Sequence, residues 1–442
     1  MHGFKLSRPS RNYWKDVPDA RRTALECFTP QMFTICMGTG ILAVLLQNNP
    51  YQFKGMKIIS TTVFLLDLLL FATIALTFFS RWIFFPRSTA EMFESDVEQT
   101  TYLSTTTIAA ATLVELVSLI CGSTWHNWQY ACYGLWWATV LLSLISSTTT
   151  YWLLIRDEEV EISNLTPTLI YPVTGLVATA SAGSVLVEYT PLSVRLAMPV
   201  VIVAYLLVGA GFLLAILTLA AFFLRLLHNQ TPEPKKVGTQ LIPLAPFSNI
   251  AYSFDALGNL AGPKRHIFQT YAKGSVVDPI FGQALYATGF LIGLSIWGFT
   301  TFWLLICIVA FVRDIPKTHF NLNMWSAIYP LGTYGLMCSK LSSDLDSRAF
   351  RVVSTIILVA VVIYWLYLIV FTLPAVVSGE LFLAEAMEKH EKENAEEEGS
   401  LRGNSGEEDG SRSVSGEVSR HQERSSESTG ISRRTRSEVL QV

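Results

Sequence analysis

The stretch "FNLNMWSAIYPLGTYGLMCSKL", residues 320–341, decides how this chain folds. It is about as long as a membrane helix, yet Pro330, Gly332 and Gly335 interrupt its middle, directly after Tyr329. A proline removes a backbone hydrogen bond. In lipid the freed carbonyl is costly unless the helix is buried in protein or lines a water-filled cavity. The stretch therefore predicts a membrane helix in an interior position.

The composition of the whole chain also indicates a membrane protein. Of 442 residues, 51% are hydrophobic and only 15% are charged, whereas soluble domains carry roughly 25% charged residues. Apolar segments long enough to cross a bilayer recur along the chain. The predicted fold class is all-α integral membrane with ten transmembrane helices. They lie near residues 28–47, 58–80, 100–121, 131–155, 165–185, 192–227, 241–262, 281–312, 320–341 and 350–378.

An even number of spans places both termini on one side of the membrane. Lys and Arg are more numerous in the segments on the side of the N-terminus, which predicts that both termini are cytoplasmic. We expect a cytoplasmic N-terminal segment (1–27), a transmembrane transport domain (28–381) and a disordered cytoplasmic tail (382–442). The tail is rich in Glu, Ser, Arg and Gly, and its serines beside arginines make a kinase a candidate partner. A tail that is merely solvated is the alternative.

The helix-breaking residues are concentrated in the odd-numbered spans. Spans 1, 5, 7 and 9 combine prolines with glycines, whereas spans 2 and 4 contain no proline and read as runs of Leu, Phe and Trp. This alternation favours odd spans in the interior and even spans facing lipid, as five helical hairpins around a central pore. The alternative is that the small residues only allow close helix packing.

Motifs of enzymes are missing from the sequence. The six cysteines are scattered without a CxxC pair, and the seven histidines show no metal-binding spacing. No phosphate-binding loop occurs, so ATP-driven pumping by this chain is not expected. We predict a protein that is not an enzyme, with no cofactor, no metal and no nucleic-acid partner.

A few ionisable residues lie in or beside the apolar spans. Glu115 and Asp255 are candidates for proton coupling. A buried hydrogen-bonded carboxyl, or a residue at the end of a helix, is the alternative, which is favoured for both and more strongly for Asp67. Basic residues near the outer ends of the spans are candidates for a vestibule that concentrates anions. Ordinary solvation of loops is the alternative for them. The residues singled out for this vestibule are Lys340, Lys264 and Arg265.

Three stretches resemble one known family. "FTPQMFTICMGTGIL" (28–42), "LTPTLIYPVTGLVATASAG" (165–183) and above all "FNLNMWSAIYPLGTYG" (320–335) are similar to the tellurite-resistance and C4-dicarboxylate transporters. That family includes fungal sulfite efflux pumps, yeast-type malic acid transporters and plant slow anion channels. The resemblance extends over residues 28–378. The chain departs from the sulfite pumps in span 3, where "STTTIAAATLVE" replaces a Pro-Met-Gly kink.

The resemblance implies ten helices as five hairpins around a pore, often in a homotrimer, that move small anions across the plasma membrane. An aromatic residue before the proline of span 9 plugs the pore in relatives, which makes Tyr329 the candidate gate where phenylalanine is usual. Sulfite efflux is the first expectation. Transport of malate or another C4-dicarboxylate, as carrier or channel, is the alternative, and a receptor or scaffold signalling through its tail is an alternative of another class. Candidate pore-lining or kink residues are Thr105, Thr106, Pro167, Pro172, Pro246, Pro330, Gly332 and Thr333.

Overall fold

The computed structural model describes residues 13–16, 19–122, 127–156, 166–228, 234–268, 279–314 and 320–383, which contain helices and no strand. Helices occupy all ten predicted positions. Within the described ranges, eight are long and apolar enough to cross a membrane; α7 and α9, of 18 and 17 residues, are not among them. The ten are α1 (Phe33–Asn48), α2 (Met56–Phe84), α3 (Val97–Ile120), α4 (Trp128–Arg156), α5 (Tyr171–Tyr189), α6 (Val194–Leu227), α7 (Leu244–Ala261), α8 (Pro279–Asp314), α9 (Ile328–Asp344) and α10 (Arg348–Ser378).

Four of the five odd-numbered helices are preceded by a 3₁₀ segment. The segments are Pro30–Met32 before α1, Pro167–Ile170 before α5, Pro234–Leu241 before α7 and Leu322–Ala327 before α9. The remaining one, α3, follows the short helix Pro86–Ser95, and the Asp96 side chain caps its first turn by accepting from two backbone N–H groups.

The prolines of the odd helices stand in their first turns. Pro172 is the second residue of α5, and Pro246 and Pro330 are the third residues of α7 and α9. A proline costs little there because the first N–H groups of a helix have no intrahelical partner. The interruption seen in the sequence thus takes the form of a junction between a 3₁₀ segment and an α-helix, not a bend inside one long helix.

Burial separates the odd helices from the even ones. In the apolar stretches of α1, α3 and α5, 89%, 72% and 100% of the residues are buried. In those of the even helices the buried share is between 17% and 39%. In α7 every residue except Phe254 is buried. The sequence alternation of helix breakers therefore corresponds to an alternation of inner and outer helices.

The inner helices pack in a closed cycle. α1 contacts α3, α3 contacts α5, α5 contacts α7, α7 contacts α9, and α9 contacts α1. Each even helix packs against the odd helix that precedes it. The five inner helices therefore surround a common axis, and this arrangement positions the site described below.

Glycines of the outer helix α8 bring it close to α7. A Cβ on Gly289 would lie 2.3 Å from the Phe254 carbonyl oxygen, and one on Gly293 would lie 2.8 Å from that of Ala251. The glycines of this even helix therefore serve close packing. Span 8 therefore contains four glycines, at residues 282, 289, 293 and 298, although it is an outer helix.

The N-terminal segment packs against the residues that follow α10. Phe382 stacks on Phe28 and lies 6.2 Å from Trp14 between ring centroids, and Leu383 is buried with Ala20. Apart from Phe382 and Leu383, the predicted disordered tail (382–442) lies outside the described residues.

Candidate functional site

The Tyr329 side chain is buried where three inner helices meet. It lies in the first turn of α9, directly before Pro330, and only 3% of the residue is exposed. Asn249 of α7 donates a hydrogen bond of 3.1 Å from Nδ2 to the Tyr329 hydroxyl. Thr112 of α3 lies within hydrogen-bonding reach of the same hydroxyl. The candidate gate is therefore held by polar contacts on the inner face of the ring.

Close packing between α1 and α9 fixes the position of this tyrosine. A Cβ on Gly332 would lie 2.6 Å from Cγ1 of Ile41, and a Cβ on Gly38 would lie 3.3 Å from Cβ of Ile328. Only glycine leaves room for α1 and α9 to approach this closely. One turn into α9, the Thr333 hydroxyl donates to the Pro330 carbonyl oxygen at 3.0 Å.

The two candidate proton-coupling residues, Glu115 and Asp255, occupy different surroundings. Glu115 of α3 accepts a hydrogen bond of 2.7 Å from Ser181 of α5, and it lies within electrostatic reach of Tyr329. Asp255 of α7 instead forms an ion pair with Lys340 of α9, with 3.2 Å between Oδ2 and Nζ. Of these two carboxyls, Glu115 is the one within electrostatic reach of the candidate gate.

A third carboxyl, that of Asp67, is buried at the interface of α2 with α1. It is fully buried, and neither of its oxygens has a hydrogen-bond partner among the described residues. Oδ2 would lie 2.7 Å from a Cβ on Gly40, which also faces Thr112 of α3. The sequence favoured a structural carboxyl here, and its charge has no ion-pair partner in the structure described.

The three basic residues assigned to an anion vestibule make intramolecular contacts. Lys340 Nζ lies 3.1 Å from Asp344 Oδ2 in addition to its pair with Asp255. Lys264 forms an ion pair with Glu188. Arg265 donates to backbone carbonyl oxygens at the end of α5 and just after it, those of Glu188, Thr190 and Leu192. Much of their charge is thus balanced inside the protein.

A polar cluster, which sequence reasoning missed, joins the N-terminal ends of the inner helices. Its members are Gln31, Tyr102, Tyr171, Asn323 and Ser326. Asn323 Oδ1 accepts hydrogen bonds from Gln31 Nε2 and, at 3.0 Å, from the Tyr102 hydroxyl. The rings of Tyr102 and Tyr171 lie 5.4 Å apart. The members are up to 295 residues apart in sequence, and only the repeated Thr-Pro steps at residues 29–30 and 166–167 hint that these ends are alike.

The remaining predicted residues lie in α3, α5 and α7 or in the segment before α5. The Thr105 hydroxyl donates to the carbonyl oxygens of Tyr102 and Pro30, and so ties α3 to the start of α1. The Thr106 hydroxyl is buried without a hydrogen-bond partner among the described residues. Pro167 begins the 3₁₀ segment before α5, and the Pro172 carbonyl accepts from Ser147 of α4 at 2.7 Å. Pro246 is buried in α7.

Comparison with known proteins places the chain among membrane transporters. A family model described as voltage-dependent anion channel (SLAC1) matches residues 27–373. The sulfite efflux pump of Arthroderma otae is 28% identical over 367 residues, covering 81% of this chain and 93% of the pump. The pump of Arthroderma benhamiae is 28% identical over 364 residues, with the same coverage. The malic acid transport protein of Schizosaccharomyces pombe is 21% identical over 372 residues, covering 83% of this chain and 82% of that protein. The family resemblance stated from the sequence is confirmed.

Proposed function

We propose, because this chain belongs to the voltage-dependent anion channel family, that it moves small anions across the plasma membrane and exports sulfite in particular. The family is one of channels and transporters and not of enzymes. The apolar helices of the chain agree with a multi-pass membrane protein. Sulfite is the first choice because the sulfite efflux pumps are more similar to this chain than the malic acid transport protein is.

The proposed pathway runs along the axis of the five inner helices. The proposal includes ten membrane crossings as five hairpins, with both termini in the cytoplasm. Its support is the closed packing cycle of α1, α3, α5, α7 and α9 and the low burial of the even helices. Assembly as a homotrimer of separate pores, and regulation by a kinase acting on the tail, belong to the same proposal and rest on the resemblance and the tail composition.

The observation that carries the proposal is the placement of Tyr329. It is buried at the junction of the 3₁₀ segment with α9, and its contacts with Asn249 of α7 and Thr112 of α3 support a ring that lies inside the cycle. In the proposed mechanism this ring blocks the axis until it moves. Its hydrogen bond to Asn249 gives this gate a polar anchor, which a phenylalanine at the same position would lack.

Transport of malate is the second candidate function, supported by the similarity to the malic acid transport protein. The test is anion flux into proteoliposomes that contain the purified full chain. We expect faster uptake of sulfite than of malate, and faster uptake of both than into protein-free liposomes. Faster uptake of malate than of sulfite would indicate that malate, and not sulfite, is the preferred substrate. Absence of flux for every anion would contradict transport.

The same experiment distinguishes a channel from a coupled carrier. Flux that a membrane potential drives equally well with and without a pH gradient indicates a channel. Flux that a pH gradient drives against the anion gradient indicates proton coupling, for which we propose Glu115, a carboxyl within electrostatic reach of the candidate gate.

A further inference from the structure

The polar cluster lies where the N-terminal ends of four inner helices come together. Tyr102 lies in the second turn of α3, Tyr171 begins α5, and Gln31 lies in the 3₁₀ segment before α1. Asn323 and Ser326 lie in the 3₁₀ segment before α9. Helix N-terminal ends carry partial positive charge and unpaired N–H groups, which favour anions. The cluster therefore lies in an electrostatic environment that attracts anions.

Two hydroxyls of the cluster are buried without a partner. Ser326 is 0% exposed and Tyr171 is 1% exposed, and neither side-chain oxygen has a hydrogen-bond partner among the described residues. Buried hydroxyls are nearly always paired, because burying one alone costs free energy. The Ser326 hydroxyl lies close to the hydroxyls of Tyr102 and Tyr171 without making a hydrogen bond of normal geometry to either, so the two unpaired groups share one place.

The other members of the cluster are held in position by their own contacts. Tyr102 and Gln31 both donate to Asn323 Oδ1, which links α3 and the start of α1 to the segment before α9. Gly238, in the 3₁₀ segment before α7, lies against this segment, since a Cβ on it would be 3.0 Å from the Asn323 carbonyl oxygen. These contacts hold in place the segments around the two unpaired hydroxyls.

Each of the two carboxylates nearby has its own positive or N–H partner within reach. Glu98, in the first turn of α3, lies within electrostatic reach of Tyr102 and Tyr171, and Arg225 at the end of α6 lies within reach of Glu98. Asp96 is within reach of Tyr102, and its side chain accepts from N–H groups of the first turn of α3. The donors that remain for a ligand are hydroxyls and helix ends, all formally neutral.

We propose that this cluster is a binding site for a monovalent oxyanion, with the Tyr171 and Ser326 hydroxyls as its donors. Neutral donors hold a single charge without trapping it, whereas a dianion would lose more hydration than they replace. Hydrogensulfite, which has both a single charge and oxygen acceptors, fits better than the malate dianion. The site lies on the side of the membrane that carries the N-terminal segment, before Tyr329 on the path of an exported anion. This inference rests on the proposed function.

The test uses the variants Tyr171→Phe and Ser326→Ala in the full chain. Each removes one hydroxyl and keeps the rest of the side chain nearly unchanged. We expect the concentration of hydrogensulfite that gives half-maximal flux from the N-terminal side to rise about tenfold, with the maximal flux within about twofold. The matched control is Tyr205→Phe, which removes a buried, unpaired hydroxyl of α6 outside the cluster.

A second measurement keeps the test independent of flux. Hydrogensulfite that binds the folded protein raises its melting temperature in detergent. We expect this rise in the parent chain and in Tyr205→Phe, and its loss in the double variant Tyr171→Phe/Ser326→Ala. A rise that the double variant retains, or a half-maximal concentration that neither single variant changes, would overturn the site. Absence of anion flux in the parent chain would instead contradict the proposed function itself.

Discussion

Asn249 of α7 and Tyr329 of α9 are joined by a hydrogen bond of 3.1 Å from the amide nitrogen to the phenolic oxygen. Both residues are buried, at 3% exposure each. The bond therefore links two inner helices at the candidate gate. A phenylalanine at position 329 could not make it.

The energy of this contact can be measured with a double-mutant cycle. Removing the hydroxyl by Tyr329→Phe and the amide by Asn249→Ala should each lower the free energy of unfolding. We expect a coupling energy of about 0.5–1.5 kcal/mol between the two changes, because they remove the same hydrogen bond. The measurement is thermal or chemical unfolding of the purified protein in detergent. Additive effects would show that the bond contributes nothing to stability.

The contact of Gly332 with Ile41 predicts that Gly332→Ala is destabilising. The added Cβ would lie 2.6 Å from Ile41 Cγ1, so α1 and α9 would have to separate, at a cost of about 1–3 kcal/mol. The melting temperature of the variant should fall, and the second change Ile41→Ala, which removes both γ carbons that the added Cβ would meet, should cost less in this variant than in the parent chain. Gly298→Ala is the control, because its added Cβ meets nothing within 4 Å. Equal melting temperatures for Gly332→Ala and Gly298→Ala would contradict the close packing.

The ion pair between Lys340 and Asp255 predicts a large effect of removing the cation. Both side chains are at least nine-tenths buried, and Lys340→Met would leave the Asp255 carboxylate with an uncompensated charge. We expect a loss of about 3–5 kcal/mol in the free energy of unfolding, recovered only in part by the added change Asp255→Asn, because Asp344 also loses its cation. The control is Lys264→Met, whose pair with Glu188 is partly exposed and contributes at most about 1 kcal/mol. A similar small loss of stability in both single variants would contradict the larger contribution predicted for the buried pair.

The surroundings of the two candidate proton carriers predict different transport phenotypes. Glu115 lies beside Tyr329 and is paired only with a hydroxyl, whereas Asp255 is neutralised by Lys340. If a pH gradient drives transport, Glu115→Gln should abolish that drive and Asp255→Asn should keep it. The measurement is sulfite uptake into proteoliposomes with and without the gradient. Retention of the drive in Glu115→Gln would make that carboxyl structural.

Much of the architecture could be predicted from the sequence, because hydropathy and helix breakers are local signals. All ten helices lie at their predicted positions, and the prolines and glycines of spans 1, 5, 7 and 9 identified buried helices. The form of the interruption could not be predicted, since a proline pattern alone does not distinguish a kink from a 3₁₀ junction. Here Pro172 and Pro330 lie in the first turns of their helices, next to the 3₁₀ segments.

Most contacts of the candidate site could not be predicted from the sequence, because they depend on the fold. Lys340 was assigned to a vestibule from its place near a span end, but its partner Asp255 is 85 residues away in sequence. The polar cluster brings Gln31, Tyr102 and Asn323 together from three separate spans. Spacing in the sequence carries no signal for such pairs.

The flux of sulfite through Tyr329→Ala tests the central claim, that anions pass along the ring of inner helices and that Tyr329 closes it. Both Tyr329→Ala and Tyr329→Phe remove the hydrogen bond to Asn249, but only the alanine also removes the ring. In proteoliposomes we expect Tyr329→Ala to conduct sulfite at least about tenfold faster than Tyr329→Phe, since an open path removes a barrier of more than about 1.4 kcal/mol. Equal or slower flux through a folded Tyr329→Ala protein would contradict the claim.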